Sequence, residues 1–265
     1  MDDQQFRQLL NRFEFSWSGY RKVRKGVKKR ISRHIKELGC RNLADYQAEL
    51  NKNEEISHHC ELLLTVSISR FFRDRKFWQT LENGLLPGLF QKNQDKLKIW
   101  SAGCACGDEV YSFKIIWDCL KQRFANLPDL EFIATDMNPV YIDKARAGIY
   151  SYSSLKEVKK EWQSKYFEQR TGKNLYQVKA SIKNNIGWKI HHLLADPPGS
   201  DFDIIFLRNS VLTYYEKRLK EKALKNVLKS LAPSGLLVIG THETLPFGTR
   251  GLTPVEPFSF VFRKD

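Results

Sequence analysis

The chain has 265 residues, of which 44 are lysine or arginine and 30 are aspartate or glutamate, so its formal net charge at pH 7 is +14. This length is enough for one substantial hydrophobic core and a small additional domain. No stretch approaches the roughly eighteen apolar residues of a transmembrane helix. The five cysteines lack the spacing of a secreted disulfide framework, and MDDQQFRQLL does not resemble a signal peptide. We therefore expect a cytoplasmic protein with reduced cysteines.

The N-terminal third of the chain is predicted to be helical. Apolar residues at helical spacing indicate a first helix around Phe6 to Phe13, a third near Leu43 to Leu50 and a fourth near Ile56 to Val66. We therefore expect a helical domain over residues 1–78 and a second domain over residues 79–265.

The second predicted helix lies in a strongly basic segment, Arg21 to Arg41. It contains ten lysines and arginines and one acid, Glu37, so it supplies a net nine of the fourteen positive charges. Its apolar residues recur every three or four positions, at Val23, Val27, Ile31, Ile35 and Leu38. A charge run is ordinarily a solvated helix face, but ten cations beside one acid repel one another. The segment therefore favours docking of an acidic partner.

The most informative stretch is KIWSAGCACGDEVYSFKIIW, residues 98–117. It predicts a short strand from Lys98 to Ser101, a loop of small residues from Ala102 to Gly107, and then a helix. The helix is indicated by apolar residues at Val110, Phe113, Ile116, Trp117 and Leu120. Small residues let a backbone pass close to a ligand, and the N–H groups at a helix start can face its polar atoms.

A second strand, Phe132 to Ala134, leads to Asp136 and then to a helix that Asn138 caps and Pro139 begins. An acid at the tip of this strand can accept both hydroxyls of a ribose. The glycines Gly103 and Gly107 do not fit the G-x-G-x-x-G pattern of dinucleotide-binding proteins. The loop is more similar to the S-adenosylmethionine (SAM) loop of Rossmann-like methyltransferases, the alternative being a small-residue turn that binds nothing.

The rest of the sheet can be outlined from apolar runs. Predicted strands are Lys98 to Ser101, Glu131 to Thr135, Asp203 to Leu207, Leu236 to Gly240 and an antiparallel strand near Ser259 to Arg263. An insertion at about residues 150–195 is predicted to contain a helix from Ser154 to Phe167. Alternating segments at Leu175 to Ile182 and Gly187 to His192 then predict a small antiparallel sheet. The fold class is therefore α/β, a Rossmann-like domain with an inserted β-subdomain behind a helical N-terminal domain.

Five segments together resemble the chemotaxis-receptor glutamate methyltransferases, the CheR family, in their order and spacing. They are SRFFRD (69–74), WSAGCACGDEVYS (100–112), ATDMN (134–138), KARAGIYS (144–151) and FDIIFLRN (202–209). The resemblance extends from about residue 19 to the end of the chain. It implies a SAM-dependent protein-glutamate O-methyltransferase, with S-adenosylhomocysteine as product and an acidic, helical protein segment as substrate.

The resemblance also implies the site residues. The family arginine that matches Arg73 contacts the methionine carboxylate of the cofactor and lies beside the acceptor, and a forked guanidinium suits a carboxylate. The other implied cofactor-binding residues are Ser67, Ser69, Ala102, Gly103, Glu109, Asp136, His192, Leu193, Arg208 and Asn209. The family usually has Asn at the place of Ser67, and Asn-Leu at the place of His192 and Leu193.

The family string R-N-V-M-I-Y-F becomes RNSVLTYY here, one residue longer before its aromatic pair. Thr213, Tyr214 and Tyr215 could each take the place of the family's active-site tyrosine, and we select Tyr214 together with Arg73 as the catalytic residues. A carboxylate acceptor is already a nucleophile at neutral pH, so methyl transfer to it needs positioning rather than a general base. The sequence has no evident nucleophile–base pair, and Cys104 and Cys106 alone are a weak metal motif.

Two other functions remain open at this point. A basic helical domain beside a cofactor domain could bind nucleic acid, and DPPG at Asp196 resembles a motif of amino-methyltransferases. That motif, however, follows the fourth strand and ends in an aromatic residue, whereas this one precedes the Asp203 strand. The other alternative is a binding module that keeps the fold without catalysis, which the presence of Arg73 and Asp136 argues against.

Overall fold

The computed structural model describes residues 1–90, 95–171, 174–248 and 251–265. The strands are β1 (Lys96–Ala102), β2 (Asp129–Asp136), β3 (Ile149–Ser151), β4 (Phe167–Gln169), β5 (Leu175–Val178), β6 (Ile186–Ile190), β7 (Phe202–Leu207), β8 (Leu231–Ile239), β9 (Leu252–Val255) and β10 (Phe258–Lys264). The α-helices are α1 (Asp3–Arg12), α2 (Arg24–Glu37), α3 (Leu43–Lys52), α4 (Glu54–Leu64), α5 (Arg75–Thr80), α6 (Leu86–Phe90), α7 (Asp108–Arg123), α8 (Pro139–Ala147), α9 (Lys160–Tyr166), α10 (Ala180–Lys183), α11 (Val211–Tyr214) and α12 (Lys217–Ser230).

A seven-stranded sheet lies at the centre, with strand order β6-β2-β1-β7-β8-β10-β9. Strands β6, β2, β1, β7 and β8 pair in parallel, and β10 pairs antiparallel with both β8 and β9. The five strands predicted from apolar runs are confirmed. All six residues of β7 are buried, as expected for a central parallel strand covered on both faces. The fold is Rossmann-like.

The sheet separates two clusters of buried side chains. On one face, Leu97 and Ile99 of β1 belong to a cluster with the apolar residues of α5, α6 and α7. On the other face, Trp100 of β1 and Ile205 of β7 belong to a cluster that includes α12 and the four N-terminal helices. The helical region therefore shares its hydrophobic core with the sheet, and the domain division at residue 78 stays a prediction.

The four predicted N-terminal helices are confirmed, and local capping explains their starts. Asp2 and Gln5 form a reciprocal capping box at α1, and Asn42 and Asn53 accept backbone N–H groups at the starts of α3 and α4. The helix in the basic segment, α2, is shorter than that segment, because the residues before Arg24 form a turn. Val27 and Ile31 are buried on its predicted apolar stripe.

The inserted region differs from the sequence prediction at three places. The predicted single helix from Ser154 to Phe167 is wrong: a 3-10 turn (Tyr152–Leu155) precedes α9, and Phe167 starts β4 because it pairs with Val178. The small antiparallel sheet exists, with strand order β3-β5-β4. The predicted segment from Leu175 to Ile182 is a strand only as far as Val178, because residues 180–183 form α10.

The second alternating segment, Gly187 to His192, does not belong to that small sheet. It forms β6, the parallel edge strand of the main sheet, and pairs with β2 from Phe132 to Asp136. An edge strand packs one face and exposes the other, so its alternation is the same as that of a strand in a two-sided antiparallel sheet.

A short segment after α1 connects the helical region to the end of the sheet. Phe15 forms an antiparallel bridge with Tyr215, and their rings lie 4.7 Å apart. The Ser16 N–H donates to the Tyr214 carbonyl at 2.7 Å, and the Glu216 N–H donates to the Glu14 carbonyl at 2.8 Å. Residues about 200 positions apart are therefore held together by backbone hydrogen bonds.

Gly19 lies in this segment, where the chain passes very close to α11. A Cβ built at Gly19 would be 2.3 Å from the Thr213 carbonyl oxygen, a backbone atom that cannot move aside cheaply. We expect Gly19→Ala to lower the free energy of unfolding by roughly 1–3 kcal/mol, the range for overpacked sites. Urea denaturation followed by circular dichroism measures this change.

Gly26→Ala in α2 is the matched control, because nothing lies within 4 Å of a Cβ built there. Replacing a helical glycine by alanine should raise the unfolding free energy by about 0.5–1 kcal/mol. Equal effects of the two substitutions would contradict the close approach of the Gly19 segment to α11.

Candidate active site

A cavity opens at the carboxyl ends of β1, β2 and β7, between the sheet and the N-terminal region. It encloses about 1000 Å³, its open mouth included. Most of the predicted site residues line it, namely Ser69, Arg73, Gly103, Glu109, Asp136, Leu193, Arg208, Asn209 and Tyr214. Ligands of open α/β sheets bind in the crevice outside the carboxyl ends of the strands, so this is the expected place for a cofactor.

Three predicted residues stand outside the cavity wall. Ala102 is buried at the end of β1, next to Gly103. Ser67 precedes the wall residue Ile68 and contacts Cys106. His192 turns toward Glu61, with its Nε2 atom 3.6 Å from a carboxylate oxygen. Their roles in cofactor binding stay predictions.

Asp136 ends β2 with both carboxylate oxygens aimed at backbone donors. Oδ2 accepts the Ala105 N–H at 3.0 Å, and Oδ1 accepts the Asn138 N–H at 2.9 Å. Burial raises the pKa of Asp136, and these two hydrogen bonds oppose that increase. Each oxygen retains lone-pair capacity, so the carboxylate is fixed in place and can still accept a pair of hydroxyl groups.

The loop of small residues turns between β1 and α7 with little space beside it. Gly103 has φ +84°, and a Cβ there would be 2.8 Å from the Ser210 Cβ. Gly107 has φ +86° and directly precedes α7. Both conformations favour glycine, which explains the small-residue pattern of the sequence. The N–H groups of Gly103 and Cys104 donate to the Thr135 carbonyl, which joins this loop to β2.

The backbone around Arg73 is held in an unusual shape. Its neighbours Phe72 and Asp74 have φ values of +51° and +65°, in the left-handed region that non-glycine residues rarely adopt. The Arg73 carbonyl accepts the Trp78 indole N–H at 2.7 Å and an Arg208 N–H at 3.2 Å. The guanidinium of Arg73 lines the cavity and, among the described residues, forms no ion pair.

Arg208 supports this loop from beneath. Its side chain is only 4% exposed and pairs with Asp74 at 2.6 Å and with Glu109 at 2.9 Å. Glu109 also accepts the Ser101 hydroxyl at 2.8 Å. Separating a buried ion pair leaves each charge uncompensated and is strongly destabilising. The cluster therefore resists movement of β1, α7, the end of β7 and the Arg73 loop relative to one another. The cofactor-binding roles predicted for Arg208 and Glu109 stay predictions.

The three candidates for the active-site hydroxyl have different surroundings. Thr213 donates its hydroxyl to Glu243. Tyr215 also lines the cavity, but its ring packs against Phe15 and its hydroxyl lies 3.4 Å from the His192 Nε2 atom. Tyr214 lines the cavity; burial raises the pKa of its phenol, and the nearby Arg73 guanidinium opposes the increase. Tyr214 therefore keeps its proton at neutral pH beside Arg73, and its selection as the catalytic tyrosine stays a prediction.

Several cavity residues were not found by sequence analysis. Phe15 and Tyr20 come from the segment after α1, and Met137 and Tyr141 follow Asp136 at the start of α8. Phe15 and Tyr20 become neighbours of the site only through the bridge to Tyr215, which no local pattern signals. Met137 and Tyr141 do have a local signal, because they lie one and five residues after the Asp136 at the end of β2.

The two cysteines of the loop between β1 and α7 are not thiolate nucleophiles. Burial raises the pKa of the Cys104 thiol, and burial raises that of Cys106 to about 11, so both thiols stay protonated. Within the described part of the chain, no three His, Cys, Asp or Glu side chains are arranged to hold a metal ion. The DPPG segment precedes β7, and its Asp196 carbonyl accepts a hydrogen bond from His191.

Comparison with known proteins assigns the chain to a family. The description "CheR methyltransferase, SAM binding domain" matches residues 67–258.

The chain belongs to the CheR methyltransferase family.

Relatives of this CheR-family protein extend over most of its length. The chemotaxis protein methyltransferase of Listeria monocytogenes is 29% identical over 83% of this chain and 81% of its own. The chemotaxis protein methyltransferase of Borreliella burgdorferi is 27% identical over 95% of this chain and 90% of its own. Chemotaxis protein methyltransferase 1 of Vibrio cholerae is 29% identical over 83% and 80%. The protein is a SAM-dependent methyltransferase, and none of its described helices is long and apolar enough to span a membrane.

Proposed function

We propose that this CheR-family protein transfers the methyl group of SAM to a glutamate side-chain carboxylate of a protein substrate, forming a methyl ester. The observation that carries the proposal is the pairing of Arg73 and Tyr214 in one cavity with Asp136. The Arg73 guanidinium and the protonated Tyr214 phenol can both donate hydrogen bonds to a carboxylate, so they suit an anionic acceptor group. Asp136, beside them, would bind the cofactor.

The residues of the cavity fit SAM. Asp136 has spare acceptor capacity for the two ribose hydroxyls, and Gly103 brings backbone without a side chain to the cavity wall. Arg73 would bind the methionine carboxylate through its guanidinium, whose one hydrogen bond among the described residues is a long one to the Ile68 carbonyl, while Leu193 supplies an apolar wall. When bound, SAM supplies an electrophilic methyl group on its sulfonium centre.

The chain's own contribution is positioning and exclusion of water. Two hydrogen bonds to the Arg73 carbonyl fix where its side chain begins, and Tyr214 keeps its proton. The Tyr214 hydroxyl, and those of the five Arg73 N–H donors that the cofactor does not use, can therefore hold an acceptor oxygen in a fixed place. Phe15, Tyr20 and Tyr215 form an aromatic wall that excludes water from this side of the cavity. A glutamate carboxylate needs no deprotonation at neutral pH, so methyl transfer to it depends on positioning rather than on a general base.

The reaction product tests this function. The protein is incubated with radiolabelled SAM and a lysate of its host, and the labelled material is then treated with mild base. A glutamate methyl ester releases its label as methanol under base, whereas a methylated nitrogen or nucleic acid retains it. Base-stable label would contradict the proposal.

We further propose that the acidic protein substrate docks on the basic segment Arg21 to Arg41. Contacts with other described residues hold four of its ten cations: Arg24 and Lys28 pair with Asp3, Arg30 donates to the Leu63 and Thr65 carbonyls, and Arg41 pairs with Asp45. The other six are Arg21, Lys22, Lys25, Lys29, Arg33 and Lys36, and all six are exposed. This exposed set would attract an acidic helical surface.

Charge reversal of three exposed residues of α2 tests the docking surface. We expect Lys25→Glu, Lys29→Glu and Arg33→Glu together to raise the KM for the acidic protein substrate roughly tenfold or more, because like charges then face each other. The affinity for SAM, measured by calorimetry, should not change. The defect should shrink in high salt, where the Debye length falls to about 3 Å at 1 M.

Reversal of Lys222, Lys225 and Lys229 is the matched control, because these exposed lysines of α12 give the same change in net charge. An equal effect of both triple variants would show that net charge, rather than the α2 surface, matters. Loss of methyl incorporation after nuclease treatment of the acceptor fraction would instead favour a nucleic-acid substrate.

A further inference from the structure

Glu243 lies beyond the end of β8 and has no assigned role. Its carboxylate is enclosed although part of the residue is exposed, and desolvation raises its pKa above the ordinary value for glutamate. Burying a carboxylate costs free energy unless hydrogen bonds replace those it made to water, so the contacts of Glu243 must compensate for its burial.

Three hydrogen bonds converge on the Glu243 carboxylate. One oxygen accepts the Asn209 N–H at 2.9 Å and the Gly240 N–H at 2.7 Å, and the other accepts the Thr213 hydroxyl at 2.5 Å. The donors come from the loop after β7, the end of β8 and α11. A single side chain therefore joins the loop that precedes Tyr214 and the helix that carries it to the end of β8.

The surroundings make this connection tight. A Cβ at Gly240 would be 2.6 Å from the Asn209 Nδ2 atom and 2.7 Å from a Glu243 carboxylate oxygen. Asn209 has φ +54°, a conformation that a fixed acceptor for its N–H helps to hold. The next residue, Ser210, packs against Gly103 in the loop of small residues between β1 and α7. The segment 209–214 thus contacts this loop at Ser210, and at Tyr214 it lines the part of the cavity where we propose that the acceptor glutamate binds.

We propose that Glu243 is a positioning residue, which holds the 209–214 segment so that Tyr214 stands at the acceptor side of the cavity. The inference rests on the proposed function, because Tyr214 is the hydroxyl proposed to face the glutamate acceptor. Glu243 does not line the cavity itself and acts through Asn209, Thr213 and Gly240.

The side-chain chemistry predicts which substitutions are tolerated. Glutamine at this position can accept both backbone N–H groups with its oxygen and donate its amide to the Thr213 hydroxyl. Alanine leaves all three donors without an acceptor. We therefore expect Glu243→Ala to lower kcat about 100-fold, as small displacements of a reacting group do, and Glu243→Gln to stay within about threefold of wild type.

A fluorine probe reports the position of Tyr214 without catalysis. In protein carrying 3-fluorotyrosine at position 214, Glu243→Ala should shift or broaden the ¹⁹F signal, while Glu243→Gln should leave it in place. Thr213→Val removes only one of the three contacts and is the milder variant if alanine impairs folding; it should move the signal less. Glu168→Ala, at an exposed position of β4, is the control.

The outcomes separate the possible explanations. An unchanged signal and unchanged turnover in Glu243→Ala would overturn the positioning role. Equal loss of turnover in the alanine and glutamine variants would overturn it as well, since the negative charge and not the hydrogen-bond geometry would then matter. The fluorine signal could also move in Glu243→Ala while the wild-type protein forms no base-labile methyl ester. That pair of results would support the positioning role and overturn the proposed function.

Discussion

Replacing Asp136 by alanine should raise the Kd for SAM at least about 100-fold, because the loss of two hydrogen bonds to a charged group costs about 1.5–3 kcal/mol each. The structure adds a second cost. The substitution also leaves the N–H groups of Ala105 and Asn138 without their acceptor, so the loop beside Gly103 loses its support. Titration calorimetry with SAM measures the change.

Asp143→Ala is the matched control for this experiment. Asp143 lies seven residues further on, in α8, where its side chain is 76% exposed. Its carboxylate makes one long ion pair, at 3.9 Å, with the Arg146 guanidinium. Its loss should leave the affinity for SAM unchanged. If Asp136→Ala binds SAM as tightly as this control does, the cofactor does not bind at the end of β2.

Replacing Arg73 by lysine should lower kcat roughly 10- to 100-fold, even though the positive charge is kept, because an ammonium cannot reproduce the planar fork of a guanidinium. The left-handed Phe72 and Asp74 and the two hydrogen bonds to the Arg73 carbonyl fix where the side chain begins. A lysine at that position therefore cannot adjust by a shift of the backbone. Steady-state kinetics with the protein substrate measure the effect.

Arg75→Lys gives the comparison for Arg73. Arg75 is two residues away in α5 and pairs with Glu157 at 3.1 Å, outside the candidate active site. Its turnover should match that of wild type. If the kcat of the Arg73→Lys variant is within twofold of the wild-type value, the planar guanidinium of Arg73 is not needed for catalysis.

The elements around Asp136 could be predicted because their signals are local. A strand, a small-residue loop and a helix follow one another between Lys96 and Arg123, and the capped helix α8 follows Asp136 directly. Strand β7 was equally clear, since a strand covered on both faces is a continuous apolar run.

The misassigned and missed features depend on contacts between distant parts of the chain. The alternation of β6 shows one covered face but cannot say which sheet supplies the neighbour. Phe15 and Tyr20 reach the cavity only because of the bridge at Tyr215. The contacts of Glu243 are made largely to backbone N–H groups, which every residue except proline offers, so no pairing of side chains reveals them.

The antiparallel bridge between Phe15 and Tyr215 also affects how this protein can evolve. It brings the N-terminal segment to the wall of the cavity, while Asp136 and Gly103 belong to the matched region that begins at residue 67. The lining of one cavity is thus encoded by two separate stretches of the gene. Because Phe15 and Tyr20 are almost fully buried, a substitution that reshapes this wall must also preserve the packing between the helical region and the sheet.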